Sequence, residues 1–142
     1  MVRIRKSRRE GNNLNKKKNN NQRDILKKWL PVFLWLAVIF SLSSIRQVKV
    51  SEFFLWDFVL KKIAHVGEYA ILYALLFRAT NGKWAHSYIL TLAYALTDEF
   101  HQHFVPGRSA NPLDLGFDSS GANISAYLIW KLKHVLQAKQ KK

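Results

Sequence analysis

The amino-acid sequence predicts an all-α fold, a small integral membrane bundle of four transmembrane helices with both termini cytoplasmic. Three observations predict it: four mainly apolar segments alternate with polar connections, tryptophans stand at segment ends, and Lys and Arg concentrate in the connections of one side. The 142 residues amount to one domain. We divide them into a disordered basic cytoplasmic tail (1–28), a four-helix membrane domain (29–132) and a second basic cytoplasmic tail (133–142).

The N-terminal segment carries most of the charge. The chain has a formal net charge of +14 although 49% of its residues are hydrophobic, and residues 1–28 alone hold 11 Lys or Arg against two acids, Glu10 and Asp24. Such a segment buries too little apolar surface to offset its ordering entropy, so we expect it to be disordered. It has almost no aromatic residues to stack on bases. Anionic lipids of the inner leaflet are therefore the expected partner of this tail, and nucleic acid is disfavoured.

The first two apolar segments differ in polarity. Residues 29–44, WLPVFLWLAVIFSLSS, carry no charge and are the clearest predicted span, with Pro31 in the first turn, where a missing amide hydrogen is tolerated. Residues 59–77 carry two lysines, a histidine and a glutamate in their first half and are apolar thereafter. A signal-peptide interpretation of residues 29–43 stays open because the apolar cores of signal peptides are about as long.

The last two apolar segments are weaker. Residues 84–97 are apolar but short, and residues 113–130 include two aspartates, an asparagine and three serines. Hydropathy alone supports one span or two, since a membrane helix needs roughly 20 mainly apolar residues. Tryptophan rings prefer the headgroup level of a membrane. Four of the five tryptophans accordingly fall at predicted segment ends, namely Trp29, Trp56, Trp84 and Trp130.

Charge counting sets the orientation of the predicted spans. With the N-terminal tail inside, four spans place 18 of the 23 Lys and Arg residues on the cytoplasmic side. The outer side receives the remaining five, Arg46, Lys49, Lys61, Lys62 and Arg108. We therefore expect a multi-pass protein of the cell membrane.

This topology brings polar side chains of three helices to the outer face. Residues three or four apart share one side of a helix, so each helix can turn a polar stripe inward. Ionisable groups in a membrane are costly and indicate a functional site by default. Pro106-Gly107 is a turn signal that brings Arg108 over the same end. The polar stripes, which predict a pocket opening to the outer face, consist of His65, Glu68, Asp98, His101, Gln102, Asp114 and Asp118.

Two blocks of sequence resemble the VanZ-like membrane proteins. They are KKIAHVGEYAILYALL (residues 61–76) and ALTDEFHQHFVPGRSANPLDLGFDSSGA (residues 95–122), and the resemblance runs from about Pro31 to Leu132. Ser43 and Ser44 also fit. The positions that match the family's motifs are Lys62, His65, Tyr69, Asp98, Glu99, Gln102, Arg108, Asp114, Asp118 and Gly121.

The resemblance implies an architecture more firmly than an activity. The family takes its name from a protein that gives low-level resistance to teicoplanin, a lipid-tailed glycopeptide, by an unknown mechanism. The resemblance implies that this chain binds a lipid-tailed envelope ligand, such as a glycopeptide antibiotic or a lipid-linked precursor. With the spacing argument, it gives as candidate ligand-binding residues Lys62, His65, Glu68, Tyr69, Asp98, Glu99, Gln102, Arg108, Asp114 and Asp118.

A metal site is one alternative use of the same side chains. Helical bundles hold metals in carboxylate and histidine cages, and donors without thiolate suit zinc, manganese or iron. The chain has no cysteine, and it departs from the ferritin-like pattern of paired Glu-x-x-His helices. No cofactor is firmly implied. The candidate ligands of a divalent metal are His65, Glu68, Asp98, His101 and Asp114.

Three further interpretations stay open. A membrane enzyme acting on lipid-linked envelope precursors would use His65, Asp98, Glu99 and His101 for acid–base chemistry, although we assign no catalytic residue and lean against an enzyme. The charged groups could instead only satisfy one another, because buried charges must be paired. A soluble helical nucleic-acid-binding protein with a basic arm is the third.

Overall fold

The computed structural model describes residues 2–45, 54–106 and 112–140. These ranges form four helices: α1 (Val2–Ser43), α2 (Phe54–Ala79), α3 (Trp84–Gln102) and α4 (Pro112–Gln140). The described ranges contain no strand. Each helix includes one of the four predicted apolar segments, so the all-helical, four-helix prediction is confirmed.

The basic N-terminal segment, which was expected to be disordered, is helical, and the basic C-terminal segment is helical as well. α1 is helical from Val2 onward, and α4 continues to Gln140, so both segments extend the apolar helices beside them. Lys, Arg and Gln are good helix formers, and a helix that is already nucleated adds residues at little cost. Pro31 therefore lies within α1 instead of in its first turn. Since proline has no backbone N–H, it cannot donate the helical hydrogen bond to the carbonyl of Lys27.

The connection between α2 and α3 is a tight turn. The backbone N–H of Gly82 donates to the carbonyl of Phe77 at 2.8 Å, and that of Asn81 donates to Arg78 at 3.3 Å. Asn81 (φ 57°) and Gly82 (φ 81°) both adopt left-handed backbone conformations. This is the Schellman pattern of helix termination, in which Asn or Gly accepts the left-handed position at low steric cost. The turn makes α2 and α3 antiparallel neighbours.

α2 is the central helix, and it packs against each of the other three. Its closest approach is to α4, where Gly121 faces the backbone of Val66 and Ala70. A Cβ atom built on Gly121 would overlap the Val66 carbonyl oxygen and approach the Ala70 nitrogen at 3.0 Å. The missing side chain of Gly121 therefore permits the close approach of α2 and α4.

The bundle has an apolar core, but it also buries several polar side chains and exposes many large apolar ones. Its core includes Tyr69, Leu72 and Leu76 of α2 with Val32 and Ile39 of α1. Large apolar side chains on all four helices are exposed, with Phe100 the most exposed at 70%. One described helical stretch, Lys17–Ser43, has the length and mean hydropathy of a membrane span. Buried polar side chains are Ser43, Ser87, Thr91, Asp98, Gln102, Asp118 and Ser125.

Two lysines that flank apolar segments, Lys28 and Lys133, lie at the same end of the bundle. Lys28 of α1 donates to the Asn81 side chain at 2.5 Å. Lys133 of α4 lies over the rings of Phe77 and Trp84, with its Nζ 4.5 Å and 5.3 Å from the ring centroids. Lys28 and Lys133 thus lie at the same end as the α2–α3 turn.

Candidate functional site

Asp98 of α3 is the centre of a buried polar cluster at the other end of the bundle. Its carboxylate is 3% exposed, and its Oδ2 accepts hydrogen bonds from Gln102 Nε2 at 2.7 Å and from the Tyr69 hydroxyl at 3.3 Å. Gln102 follows Asp98 by one helical turn, so both side chains point the same way. Tyr69 reaches the carboxylate from α2.

His65 and Asp118 add a second pair to the cluster. The imidazole Nδ1 of His65 (α2) lies 3.2 Å from Oδ1 of Asp118 (α4), and Asp118 is 1% exposed. The ring of His65 stacks on that of Tyr69, one turn along α2, with centroids 6.5 Å apart. The carboxylates of Asp98 and Asp118 are close enough to interact electrostatically. Side chains of α2, α3 and α4 therefore converge, and we call His65, Tyr69, Asp98, Gln102 and Asp118 the polar cluster.

Each carboxylate of the polar cluster has one oxygen that accepts no hydrogen bond from a described residue. Oδ1 of Asp98 and Oδ2 of Asp118 are inaccessible to solvent and accept no hydrogen bond from any described residue. Tyr69, Asp98, Gln102 and Asp118 are at most 3% exposed. These four residues are thus buried, whereas the His65 side chain is 14% exposed. The sequence had predicted a pocket opening to the outer face.

Lys62 and Glu99 surround the polar cluster. The Lys62 ammonium interacts electrostatically with the carboxylates of Glu99 and Asp118. It also lies over the ring of Phe117, with Nζ 4.9 Å from the centroid. Both Lys62 and Glu99 are half-buried. A cation and a third acid therefore stand beside Asp118.

An apolar groove runs along the outside of α2 and α4, next to the polar cluster. Its volume is about 330 Å³, and it is lined by Val59, Lys62, Ile63, Val66 and Phe117. The two helices touch at Gly121, one turn beyond Phe117. Val66 and Phe117 adjoin His65 and Asp118 in the chain, and Lys62 both lines the groove and interacts with Asp118. The groove therefore adjoins the polar cluster.

One predicted residue, His101, points elsewhere, and Glu68 contacts α1 through its backbone. His101 contacts α1, where its Nε2 lies 3.1 Å from the Ser44 hydroxyl and its ring lies 4.4 Å from that of Phe40. The backbone carbonyl of Glu68 accepts a hydrogen bond from the indole of Trp35 at 3.0 Å. Spacing placed His101 with Asp98, but the face of α3 that carries His101 is the one that meets α1.

Two further candidates, Arg108 and Asp114, fall outside the described side chains. Arg108 lies outside the described residues, and the side chain of Asp114 is likewise not described. Among the described side chains, no three of His, Asp and Glu form a group that could hold a metal ion.

Sequence reasoning missed contacts that α1 makes with the site. Trp35 is the one tryptophan away from the predicted segment ends, and a buried indole N–H needs an acceptor, which could have indicated its bond to α2. It also missed the buried hydroxyls of Ser87 and Thr91, which precede Ala95 and Asp98 on the inward face of α3. Their spacing of three to four residues was the available signal.

A protein-family model matches most of the chain. The family model described as VanZ/LLP1 matches residues 1–134. No curated protein and no solved structure matches the chain. The matched range contains all four apolar segments and every residue of the polar cluster.

Proposed function

Because the chain belongs to the VanZ/LLP1 family, we propose that it is a multi-pass protein of the cell membrane that binds a lipid-tailed envelope ligand. The polar cluster meets the head group of the ligand, and the apolar groove takes its hydrocarbon tail. The ligand is either a glycopeptide antibiotic such as teicoplanin or a lipid-linked envelope precursor. If it is the antibiotic, its binding by this protein contributes to resistance.

The distribution of polarity supports membrane insertion of all four helices. Exposed Leu, Ile, Val and Phe side chains occur on every helix, while aspartates, a glutamine, serines and a threonine are buried. A water-soluble protein rarely exposes large contiguous apolar patches. The same surface disfavours a soluble nucleic-acid-binding protein. In the proposed orientation both termini are cytoplasmic, and the basic residues of α1 contact anionic lipids.

The convergence of three helices on one buried polar cluster is the observation that carries the ligand-binding proposal. Tyr69, Gln102 and His65 all bond to the two buried carboxylates, yet an oxygen of each carboxylate stays unsatisfied among the described residues. Buried polar atoms without partners are costly and are kept where a ligand or a water satisfies them. The apolar groove next to the cluster is lined by four apolar side chains and Lys62. The polar cluster and the apolar groove thus offer adjacent sites on α2 and α4 for the head group and the tail of one ligand.

Antibiotic susceptibility tests the proposed function. Expression of the chain in a susceptible host is expected to raise the inhibitory concentration of teicoplanin but not that of a glycopeptide without a lipid tail. Asp98→Asn is expected to abolish the effect because it removes the charge at the centre of the cluster. Asp24→Asn removes an exposed acid from α1, outside the bundle, and should leave the effect unchanged. Equal protection against tailed and tail-less drugs would contradict the role of the groove.

The His65–Asp118 pair supports a second candidate function, that of a membrane enzyme. A histidine held by a carboxylate is a common arrangement for a general base, and the two atoms are 3.2 Å apart. In this alternative, His65 takes a proton from a lipid-linked precursor or its attacking water. Turnover by the purified protein that is lost in His65→Gln while binding is retained would favour the enzyme. Binding without turnover would favour the ligand-binding role.

A further inference from the structure

The charges around the two buried carboxylates are unequal. Asp118 has His65 as a hydrogen-bond partner and Lys62 as a nearby cation. Asp98 has only neutral partners among the described residues, the Tyr69 hydroxyl and the Gln102 amide, and both bond to the same oxygen, Oδ2. Its Oδ1 is buried and has no hydrogen-bond partner in the described ranges. A positively charged donor would satisfy Oδ1 of Asp98 and balance its charge.

This imbalance constrains the ligand. A buried carboxylate that lacks a donor pays the cost of desolvation, and a cationic donor offsets that cost better than a neutral one. An anionic group such as a phosphate would add repulsion at Asp98, and its fully ionised form has no hydrogen to donate to Oδ1. An ammonium has three donors and no acceptor, and so matches a site with an unsatisfied oxygen on each of Asp98 and Asp118.

We propose that the head group of the lipid-tailed ligand carries a primary ammonium that donates to Oδ1 of Asp98. The inference rests on the proposed function. Oδ2 of Asp118 is the second acceptor. The tail lies in the apolar groove, whose residues Val66 and Phe117 adjoin the polar cluster along α2 and α4.

Amphiphiles with one tail and different head groups test the proposal. The purified full chain, in nanodiscs of a zwitterionic lipid, is titrated with dodecylammonium, dodecanol and dodecyl phosphate. We expect dodecylammonium to bind about ten-fold more tightly than dodecanol, because one charge-assisted hydrogen bond is gained in a buried site. Dodecyl phosphate should bind no more tightly than the alcohol.

Variants assign the preference to Asp98. Asp98→Asn keeps the shape of the side chain and should lose the preference for the ammonium, whereas Asp24→Asn should keep it. The head-group series on the unaltered protein tests the proposal even if Asp98→Asn does not fold. A preference that survives Asp98→Asn in folded protein would overturn the proposal. So would a preference that appears only after Arg108→Gln, because the chain's own guanidinium would then be the cation at Asp98.

The outcomes also separate this inference from the proposed function. Equal binding of all three amphiphiles at a saturable site would overturn the ammonium assignment and leave a lipid-binding groove. Absence of saturable binding by any of them, together with absence of teicoplanin binding, would overturn both.

Discussion

His65 of α2 and Asp118 of α4 are joined by a hydrogen bond of 3.2 Å in the interior of the bundle. The two residues are 53 positions apart in the chain, and Asp118 is 1% exposed. The bond lies near the crossing at Gly121, where the backbones of the same two helices come closest. The His65–Asp118 hydrogen bond and the backbone contact at Gly121 therefore both hold α4 against α2.

A double-mutant cycle is expected to show that His65 and Asp118 are energetically coupled. His65→Gln or Asp118→Asn alone should lower the free energy of unfolding by about 1–3 kcal/mol, because each leaves a buried polar group without its partner. The double variant should lose less than the sum of the two single losses, with a coupling of about 0.5–3 kcal/mol. Unfolding in mixed detergent micelles provides the measurement.

Ser120→Ala is the control for this cycle. The Ser120 hydroxyl is exposed and donates to the carbonyl of Gly116 at 2.7 Å within its own helix. Its removal should change the unfolding free energy by less than either cluster variant. Strictly additive losses for His65→Gln and Asp118→Asn would show that the pair does not join the helices.

The sequence allowed the four helices to be predicted, and helical spacing put Asp98 and Gln102 on one side of α3. Asp98 and Gln102 are one turn apart and do bond to each other, and Tyr69 occupies a family position and reaches the same carboxylate. These predictions succeeded because helical periodicity and antiparallel order decide which ends of the helices meet. Helical periodicity and antiparallel order do not depend on the angle at which two helices cross.

Other features could not be predicted because they depend on how each helix is rotated. His101 is three residues from Asp98, within the range that shares a helix face, but it contacts Ser44 and Phe40 of α1. The closure of the cluster around Asp98 depends on the approach of α2 and α4 at Gly121, which hydropathy does not encode. The helical conformation of the basic N-terminal segment also differed from the expectation based on composition.

Gly121→Ala is expected to destabilise the bundle. The added methyl group would overlap the Val66 carbonyl and crowd the Ala70 nitrogen, both of which are backbone atoms that cannot rotate away. Overpacking of this kind costs about 1–3 kcal/mol. Gly116→Ala is the matched control on the same helix, since a Cβ there meets nothing within 4 Å.

Gly116→Ala should be neutral or should stabilise α4 by up to about 1 kcal/mol, because alanine is the better helix former. Thermal unfolding of the two variants in the same detergent makes the comparison. A Gly121→Ala protein as stable as the Gly116→Ala protein would contradict the close crossing of α2 and α4.

Cysteine labelling is expected to confirm the proposed orientation. The chain has no cysteine, so single substitutions give unambiguous signals. In intact cells, a membrane-impermeant maleimide should label His103→Cys, just beyond the end of α3, but should label Lys83→Cys and Lys139→Cys only after permeabilisation. All three positions are exposed. Labelling of Lys83→Cys in intact cells to the same extent as His103→Cys would contradict a cytoplasmic α2–α3 turn.

Direct binding to the purified full chain in nanodiscs tests the central claim most directly. Calorimetric titration with teicoplanin and with the same glycopeptide core lacking its tail should detect saturable binding of the tailed molecule alone. Binding should weaken by about ten-fold or more in Asp98→Asn, which loses a charge-assisted hydrogen bond, and should be unchanged in Ser120→Ala. Equal binding of the tailed and tail-less molecules, or unchanged binding by Asp98→Asn, would contradict a ligand site built from the polar cluster and the apolar groove.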